Sequence, residues 1–236
     1  MMGACVDFHS HILPGVDDGS KSVEESLELL RMEAQQGIRH VLATPHFYAS
    51  HDTPERFLKR RAAAWEKLRA AMANEPGLPE VTLGAEVYYF SGISNSEAVS
   101  QLTIGQKRYI MLEMPSVSWT GIMCKELENI YVKHGITPII AHIDRYIGPF
   151  RTHGILKQLE QLPVLIQANG NFFLRPATAS MALRMLKKNQ IHLLGSDCHD
   201  RTVRTPNLGK VLQKIESSLG ESALQQIQAF ENAVLL

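Results

Sequence analysis

Short apolar runs rich in Val, Ile and Leu alternate along the chain with longer stretches whose apolar positions recur every three or four residues. Runs near 4–9 (ACVDFH), 38–44 (IRHVLAT), 81–87 (VTLGAEV), 108–113 (RYIMLE), 137–143 (TPIIAHI), 163–168 (PVLIQA) and 191–196 (IHLLGS) read as strands. Helical patterns fall between them, near 22–36, 54–73, 94–101, 120–134, 152–161 and 177–189, and a last one near 221–233 closes the chain. The first helix is the clearest. Ser22 and Glu25 have capping-box spacing, Val23, Leu27, Leu30 and Ala34 share a face, and Gly37 follows the end. Strands alternating regularly with helices imply parallel β/α units. Seven such units close as a barrel; an open doubly wound sheet is the alternative. The pattern shows no internal repeat or long linker. The cluster EPGLP at 75–79 is a loop, so one domain spans 1–236.

Polar residues interrupt this pattern at one recurring place, the end of a strand. The first run ends at His9 and His11 and the second leads into His46. The third carries Glu86, the fourth Glu113 and the fifth His142. The sixth carries Gln167 and Asn169, and the seventh leads into Asp197 and His199. In a parallel barrel the C-terminal strand ends converge on one mouth, where active sites form. Residues spread over 190 positions would meet there.

Each motif has a plain structural alternative. Side chains two apart on a strand point the same way, so His9 and His11 can reach one ion; otherwise they are surface histidines. Asp17 and Asp18 in the DDG triplet form an ordinary turn, or supply a carboxylate, with Asp18 the preferred candidate. Pro45 fixes the chain just before His46 and would aim it rigidly. Glu86 and Glu113 sit in apolar strands, where a carboxylate needs a cationic partner, either an arginine or a metal ion. Together the strand ends present five histidines (9, 11, 46, 142 and 199) and four acids (Asp18, Glu86, Glu113 and Asp197). Mixed imidazole and carboxylate sets suit divalent Mn, Fe or Zn, and nine ligands imply two or three ions. His40, His51, His134, His153 and His192 match no strand end and read as structural or surface residues. Arg145 and Arg204 follow His142 and His199 closely, and their guanidinium groups suit phosphate oxygens. The plain alternative is a salt bridge to Asp144 or Asp200.

Composition narrows the setting. The 236 residues carry no net formal charge, which gives no electrostatic case for nucleic acid or an anionic membrane. Apolar residues are 44% of the chain, yet no run approaches the ~18 residues of a membrane span. Asp7, His9 and His11 stand where a signal peptide would be apolar. Three cysteines argue against a disulfide framework and for a reducing cytoplasm. One of them, Cys198, lies five residues before Arg204, the spacing of a cysteine-dependent tyrosine phosphatase. That loop would hold Asp200 inside its anion cradle and lacks the glycines that turn backbone N–H groups inward. On a strand, Cys198 would point away from Asp197 and His199 and act as a small buried residue.

The order and content of these motifs resemble the metal-dependent protein-tyrosine phosphatases of the polymerase and histidinol phosphatase (PHP) superfamily, the bacterial enzymes of capsule and exopolysaccharide synthesis. The matching stretches are DFHSHILPGVDDGSKS (7–22), ATPHFY (43–48), GAEVYY (84–89), LEMP (112–115), AHIDRY (141–146) and GSDCHD (195–200). The resemblance implies a distorted (β/α)7 TIM-like barrel with two or three metal ions, usually manganese. It implies a first metal site of His9, His11, Glu86 and Asp197, with Glu86 bridging to a second formed with Glu113 and His142. Asp18, His46 and His199 make the third, and Arg145 and Arg204 take the phosphate-binding positions. The implied substrate is a phosphotyrosine protein, the tyrosine-rich tail of a membrane-linked bacterial tyrosine kinase. Phe47, Tyr48 and Tyr89 either line the approach for an aromatic ring or pack the interior. The rivals are a small-molecule phosphatase acting on histidinol phosphate, a cysteine phosphatase built on Cys198, and a metal-stabilised scaffold without turnover.

Overall fold

β1 (Cys5–Ser10) begins a computed structural model that describes residues 5–147 and 154–235. The remaining strands are β2 (Ile38–Ala43), β3 (His46–Phe47), β4 (Glu80–Leu83), β5 (Glu86–Tyr88), β6 (Tyr109–Glu113), β7 (Thr137–Ile140), β8 (Leu165–Asn169) and β9 (Leu193–Gly195). The helices are α1 (Val23–Gln35), α2 (Pro54–Met72), α3 (Ala98–Gln101), α4 (Gly121–His134), α5 (Ile155–Leu159), α6 (Gly170–Leu174), α7 (Pro176–Lys187), α8 (Leu208–Leu219) and α9 (Glu221–Leu235). All strand pairings are parallel. They run β1-β2-β4 in one sheet and β3-β5-β6-β7-β8-β9 in the other.

The two sheets are halves of one curled sheet. The backbone crosses between them at Thr44–Pro45 on one stave and Gly84–Ala85 on its neighbour. Pro45 has no N–H to donate, so the ladder lapses there. Gly84 N–H to Ala43 O (2.8 Å) and Glu86 N–H to Pro45 O (3.0 Å) carry the pairing across the lapse. The expected strand 81–87 is therefore two short ones, β4 and β5, on a bent stave. The ring is incompletely closed. Between β9 and β1 there is only a single bridge, Ser10 to Cys198, with backbone bonds from Asp197 N to His9 O (2.7 Å) and from His11 N to Cys198 O (2.9 Å). This is a distorted, seven-staved α/β half-barrel, as the alternating pattern implies.

Helices pack around the sheet through a large apolar core that includes Leu29, Leu30, Phe57, Leu127, Ile140 and Phe173. A second cluster joins Val6, Phe8, Leu42, Met111, Ile139 and Leu193 of the strands to Val234 of α9. Glu231 of α9 accepts from the N–H of Val6, at the start of β1. α9 thus sits at the N-terminal end of that strand, away from the ends that carry the polar residues. α1 begins with half of the expected capping box: the Ser22 hydroxyl accepts from Glu25 N–H, while the Glu25 carboxylate accepts from Lys21 N–H rather than from Ser22.

Five elements differ from the expected list. The stretch 94–101 is a single 3₁₀ turn at Ile93–Asn95 followed by only four α-helical residues. Within 152–161 the helix occupies Ile155–Leu159, and the start of the expected segment, with His153, lies outside the described residues. α6 and α8 were not anticipated. α8 buries Leu208, Val211 and Ile215, a helical spacing that the sequence carries, but no side chain caps its start. β7 stops at Ile140, three residues short of the expected end, for a reason visible at the site. Among the described residues no helix is long and apolar enough to cross a membrane.

Candidate metal centre

Nine side chains meet at one mouth of the barrel, most from the C-terminal ends of strands, with His46 and Glu86 opening β3 and β5 just past the breaks in their staves. His9 and His11 leave β1 on the same side, and both are fully buried. Their Nε2 atoms face each other at 3.1 Å. Glu86, the first residue of β5, reaches between them, its Oε2 lying 3.1 Å from His9 Nε2 and 3.4 Å from His11 Nε2. Asp197 Oδ1 completes this group, 3.7 Å from His9 Nε2 and 3.4 Å from His11 Nε2. The other Glu86 oxygen, Oε1, is 2.7 Å from His142 Nε2, which is 3.5 Å from Glu113 Oε1. On the outer side, Asp18 Oδ1 lies 3.6 Å from His46 Nε2 and 3.3 Å from His199 Nε2. His46 joins the groups, since its Nδ1 lies 3.0 Å from Glu86 Oε2 and 3.9 Å from Glu113 Oε2.

The imidazoles are held from behind. His9 Nδ1 pairs with Gln167 Oε1 (3.3 Å), His11 Nδ1 with Asp17 Oδ2 (2.7 Å), and His199 Nδ1 with the backbone oxygen of Asp197 (3.0 Å). A bond at Nδ1 fixes the tautomer and turns the Nε2 lone pair inward, as metal-binding histidines require. Three buried polar atoms facing the centre have no hydrogen-bond partner, His46 Nδ1, Glu86 Oε2 and His199 Nε2, and His142 Nδ1 is also unpartnered. At this centre, three sets of donor atoms lie within 4.8 Å of one another: His9, His11 and Glu86; His46, Glu86 and Glu113; and His11, Asp18, His46 and His199. Inward lone pairs, unpartnered oxygens and nitrogens, and oxygen and nitrogen donors alone fit divalent cations.

The electrostatics follow from the crowding. Burial opposes ionisation of Glu86, but the charge on His9 and bonds from His11 and His142 hold its carboxyl well below the usual range. Burial likewise opposes a charged Asp197, and His9 and His11 hold it well down. Burial lowers His199, reinforced by His11, to about 4. A neutral His199 is a lone-pair donor at neutral pH.

Two residues reach their places through left-handed backbone. His142 has φ 33° and Asp197 φ 55°. This conformation is uncommon outside glycine and concentrates at functional sites. It explains why β7 ends early: the chain turns at His142, whose N–H is caught by Gln167 Oε1 at 2.6 Å. Glycines serve close approach elsewhere. A Cβ on Gly19, the glycine of DDG, would lie 2.2 Å from His11 O, and one on Gly195 would lie 2.5 Å from His9 Cβ.

Arg145 and Arg204 stand at the mouth, each side chain 37% exposed. They grip Asp197 from both sides, Arg145 Nη2 to Oδ2 and Arg204 Nη2 to Oδ1, both at 2.7 Å. Arg145 also donates to Glu113 Oε1 at 3.0 Å. Neither guanidinium group pairs with the acid named as its ordinary partner. Asp144 accepts from Asn169 N–H, and Asp200 accepts from the N–H groups of Thr202, Val203 and Arg204.

That last cradle decides the reading of Cys198. The N–H groups that a cysteine phosphatase loop would turn toward phosphate are occupied by the Asp200 carboxylate. Cys198 is fully buried, and burial, with Glu33 and Asp7 beside it, pushes its thiol well above the usual range. A nucleophilic cysteine needs the opposite. Cys198→Ser is therefore expected to keep at least half of wild-type turnover of an aryl phosphate. A loss of roughly a thousandfold, the scale of a lost nucleophile, would restore the cysteine mechanism.

Several supporting residues were not among the expected donors. Asp17 serves His11 and also accepts from His46 N–H (2.9 Å). Gln167 binds both His9 and the His142 backbone, and Asn169 Nδ2 donates to Asp197 Oδ2 (2.8 Å). Their signal was the QAN pattern, two polar side chains alternating on an otherwise apolar strand. Of the aromatic residues considered for the approach, Phe47 and Tyr89 are buried. The Tyr89 hydroxyl bonds Glu126, and both residues are packing. Tyr48 is exposed, with its ring 5.3 Å from that of His46.

Known proteins carry the same pattern. The family model described as capsular polysaccharide synthesis, CpsB/CapC, matches residues 5–236. Tyrosine-protein phosphatase CpsB of Streptococcus agalactiae serotype V is 29% identical over 97% of this chain and 96% of its own. Tyrosine-protein phosphatase YwqE of Bacillus subtilis is 27% identical over 98% and 91%. In three dimensions the fold matches a chain from the crystal structures of Bacillus subtilis YwqE and Streptococcus pneumoniae CpsB, with a TM-score of 0.84 at 24% identity. That match covers 98% of this chain and 94% of the other.

Proposed function

Because the chain belongs to the CpsB/CapC family of capsular polysaccharide synthesis proteins, we propose that it is a metal-dependent tyrosine-protein phosphatase. One observation carries the reading. Nine side chains with oxygen and nitrogen donors converge, three of the five imidazoles tied back at Nδ1, beneath two half-exposed guanidinium groups. We assign His9, His11, Glu86 and Asp197 to a first cation and Glu86, Glu113 and His142 to a second. Asp18, His46 and His199 belong to a third. Manganese is the preferred ion, with iron and zinc as the alternatives.

When bound, the cations lower the pKa of water and offset charge on the phosphoryl oxygens. The chain's own residues do the rest. Arg145 and Arg204 present N–H groups to the phosphate oxygens and stabilise the charge that spreads over them in the transition state. Gln167, Asp17 and Asn169 keep His9, His11 and Asp197 from rotating as the substrate enters. Phenol has a pKa of about 10, so the tyrosine oxygen leaves as phenolate with little need of a general acid, and none is assigned. The substrate we favour is the tyrosine-rich tail of a bacterial tyrosine kinase in polysaccharide export. The free thiols of Cys124 and Cys198 support a cytoplasmic setting.

Dialysis against EDTA is expected to abolish turnover of phosphotyrosine peptides, and one of Mn, Fe or Zn to restore it, with two to three ions per chain by elemental analysis. Turnover of histidinol phosphate should be at least roughly a hundredfold lower, since the alkoxide leaves less readily than phenolate. Full activity after complete chelation, or a preference for histidinol phosphate, would overturn the assignment.

A further inference from the structure

Beside the metal centre, under the loop that follows β3, lies a cleft of about 470 Å³. Its inner wall is Asp18 and His46, and its outer wall is Asp52, Arg56 and Arg60 at the start of α2. Tyr48 lies between, with its ring 5.3 Å from His46 and 6.3 Å from His51. The cleft therefore continues from the ligands outward along an aromatic side chain to two arginines.

The charges in this cleft do not cancel. Asp17 is committed to His11, His46 and Gly19, and Asp18 faces His46 and His199. Asp52 alone faces the two guanidinium groups, 3.6 Å from Arg56 Nε and hydrogen-bonded to Arg60. One positive charge is left over, and the side chains of Arg56 and Arg60 are 74% and 47% exposed. Helix energetics do not select this arrangement. The first two turns of α2 carry Arg56, Lys59, Arg60 and Arg61 against Glu55 alone, at the helix end where cations are disfavoured. Asp52, which also accepts from Thr53 N–H, bonds Arg60 and lies within ion-pair distance of Arg56, so both heads gather at the cleft rim.

We propose that Arg56 and Arg60 form a substrate subsite for an anionic group on a residue neighbouring the phosphotyrosine, either a carboxylate or a second phosphate. The subsite rests on the tyrosine-phosphatase reading and adds a sequence preference to it. Tyr48 separates it from the metal centre by about one side chain, so a peptide whose phosphate sits at the metals passes its adjacent residue over the arginines.

Turnover of four substrates tests it: phosphotyrosine peptides flanked by aspartate and glutamate, by a second phosphotyrosine, or by serine and alanine, and p-nitrophenyl phosphate, which is too small to span the cleft. In R56A/R60A, kcat/KM for at least one anionic peptide should fall roughly tenfold through KM, the size of one or two partly exposed charge-assisted bonds. The neutral peptide and p-nitrophenyl phosphate should change less than twofold, and R56K/R60K should recover most of the loss. The anionic peptide with the larger loss identifies carboxylate or phosphate as the group bound. An equal loss on all four substrates, or no loss on either anionic peptide, would overturn the subsite. If the wild-type protein hydrolyses no aryl phosphate with any divalent ion, the phosphatase reading itself fails.

Discussion

Glu86→Gln is expected to lower kcat/KM for phosphotyrosine peptides by about 10³-fold or more, the scale lost when a preorganised charge at a reaction centre is removed. The substitution changes one oxygen to NH₂ and little else. Yet Glu86 is the residue that every part of the centre touches: Oε2 faces His9, His11 and His46, and Oε1 faces His142. An amide donates where lone pairs are needed and carries no charge to offset a cation. Two of the proposed ion sites share this carboxylate, so both should empty. Elemental analysis should find about two ions fewer per chain, and circular dichroism should show the fold retained. A Glu86→Gln protein with full metal content and more than a tenth of wild-type activity would contradict the assignment.

Arg145→Ala and Arg204→Ala should each cost roughly a hundredfold in kcat/KM, in the range reported for losing one donor to a developing anion. Inhibition by inorganic phosphate should weaken in parallel, because the same groups bind the product. Lysine at either position should recover only part of the activity, since it lacks the planar fork of N–H groups. Each arginine holds only one oxygen of Asp197, and Asn169 also holds Oδ2, so both variants should still bind metal. If phosphate inhibition stays within threefold of wild type in both variants, the arginines are structural clamps on Asp197 and not phosphate ligands.

Much of the centre was legible because strand geometry is regular. The two-residue period of a strand puts His9 and His11 on one side, and a parallel sheet brings its C-terminal ends together. Those two rules gathered donors from residue 9 to residue 199. They fail where the backbone leaves the strand. His142 read as the last part of a strand, but it turns in left-handed backbone because Gln167, from the next strand, captures its N–H. Nothing local to AHIDRY encodes that bond. The choice between Asp17 and Asp18 had the same character. Adjacent in a turn, one points back to His11 and the other out toward His46 and His199. Cys198 faces away from its neighbours as a strand would have it, although Asp197 before it is not in strand conformation. The break at Pro45 and the basic start of α2 were both written in the residues. Their meaning needed the cleft between them.

The seam between β9 and β1 has a consequence for assembly. Its backbone pairing is thin, a single bridge and a pair of backbone bonds, reinforced by Asp7 accepting from the N–H and hydroxyl of Ser196. The residues on its two sides are His9 and His11 on one and Asp197 and His199 on the other, and their side chains share one cluster of donors. Cations held there would clasp the first strand of the barrel to the last, closing a loop that runs from residue 9 to residue 199. Loading and folding then draw on the same free energy, and the melting temperature rises with free cation by mass action. A cell short of that cation would lose both the activity and, at the seam, the grip that keeps the ring shut.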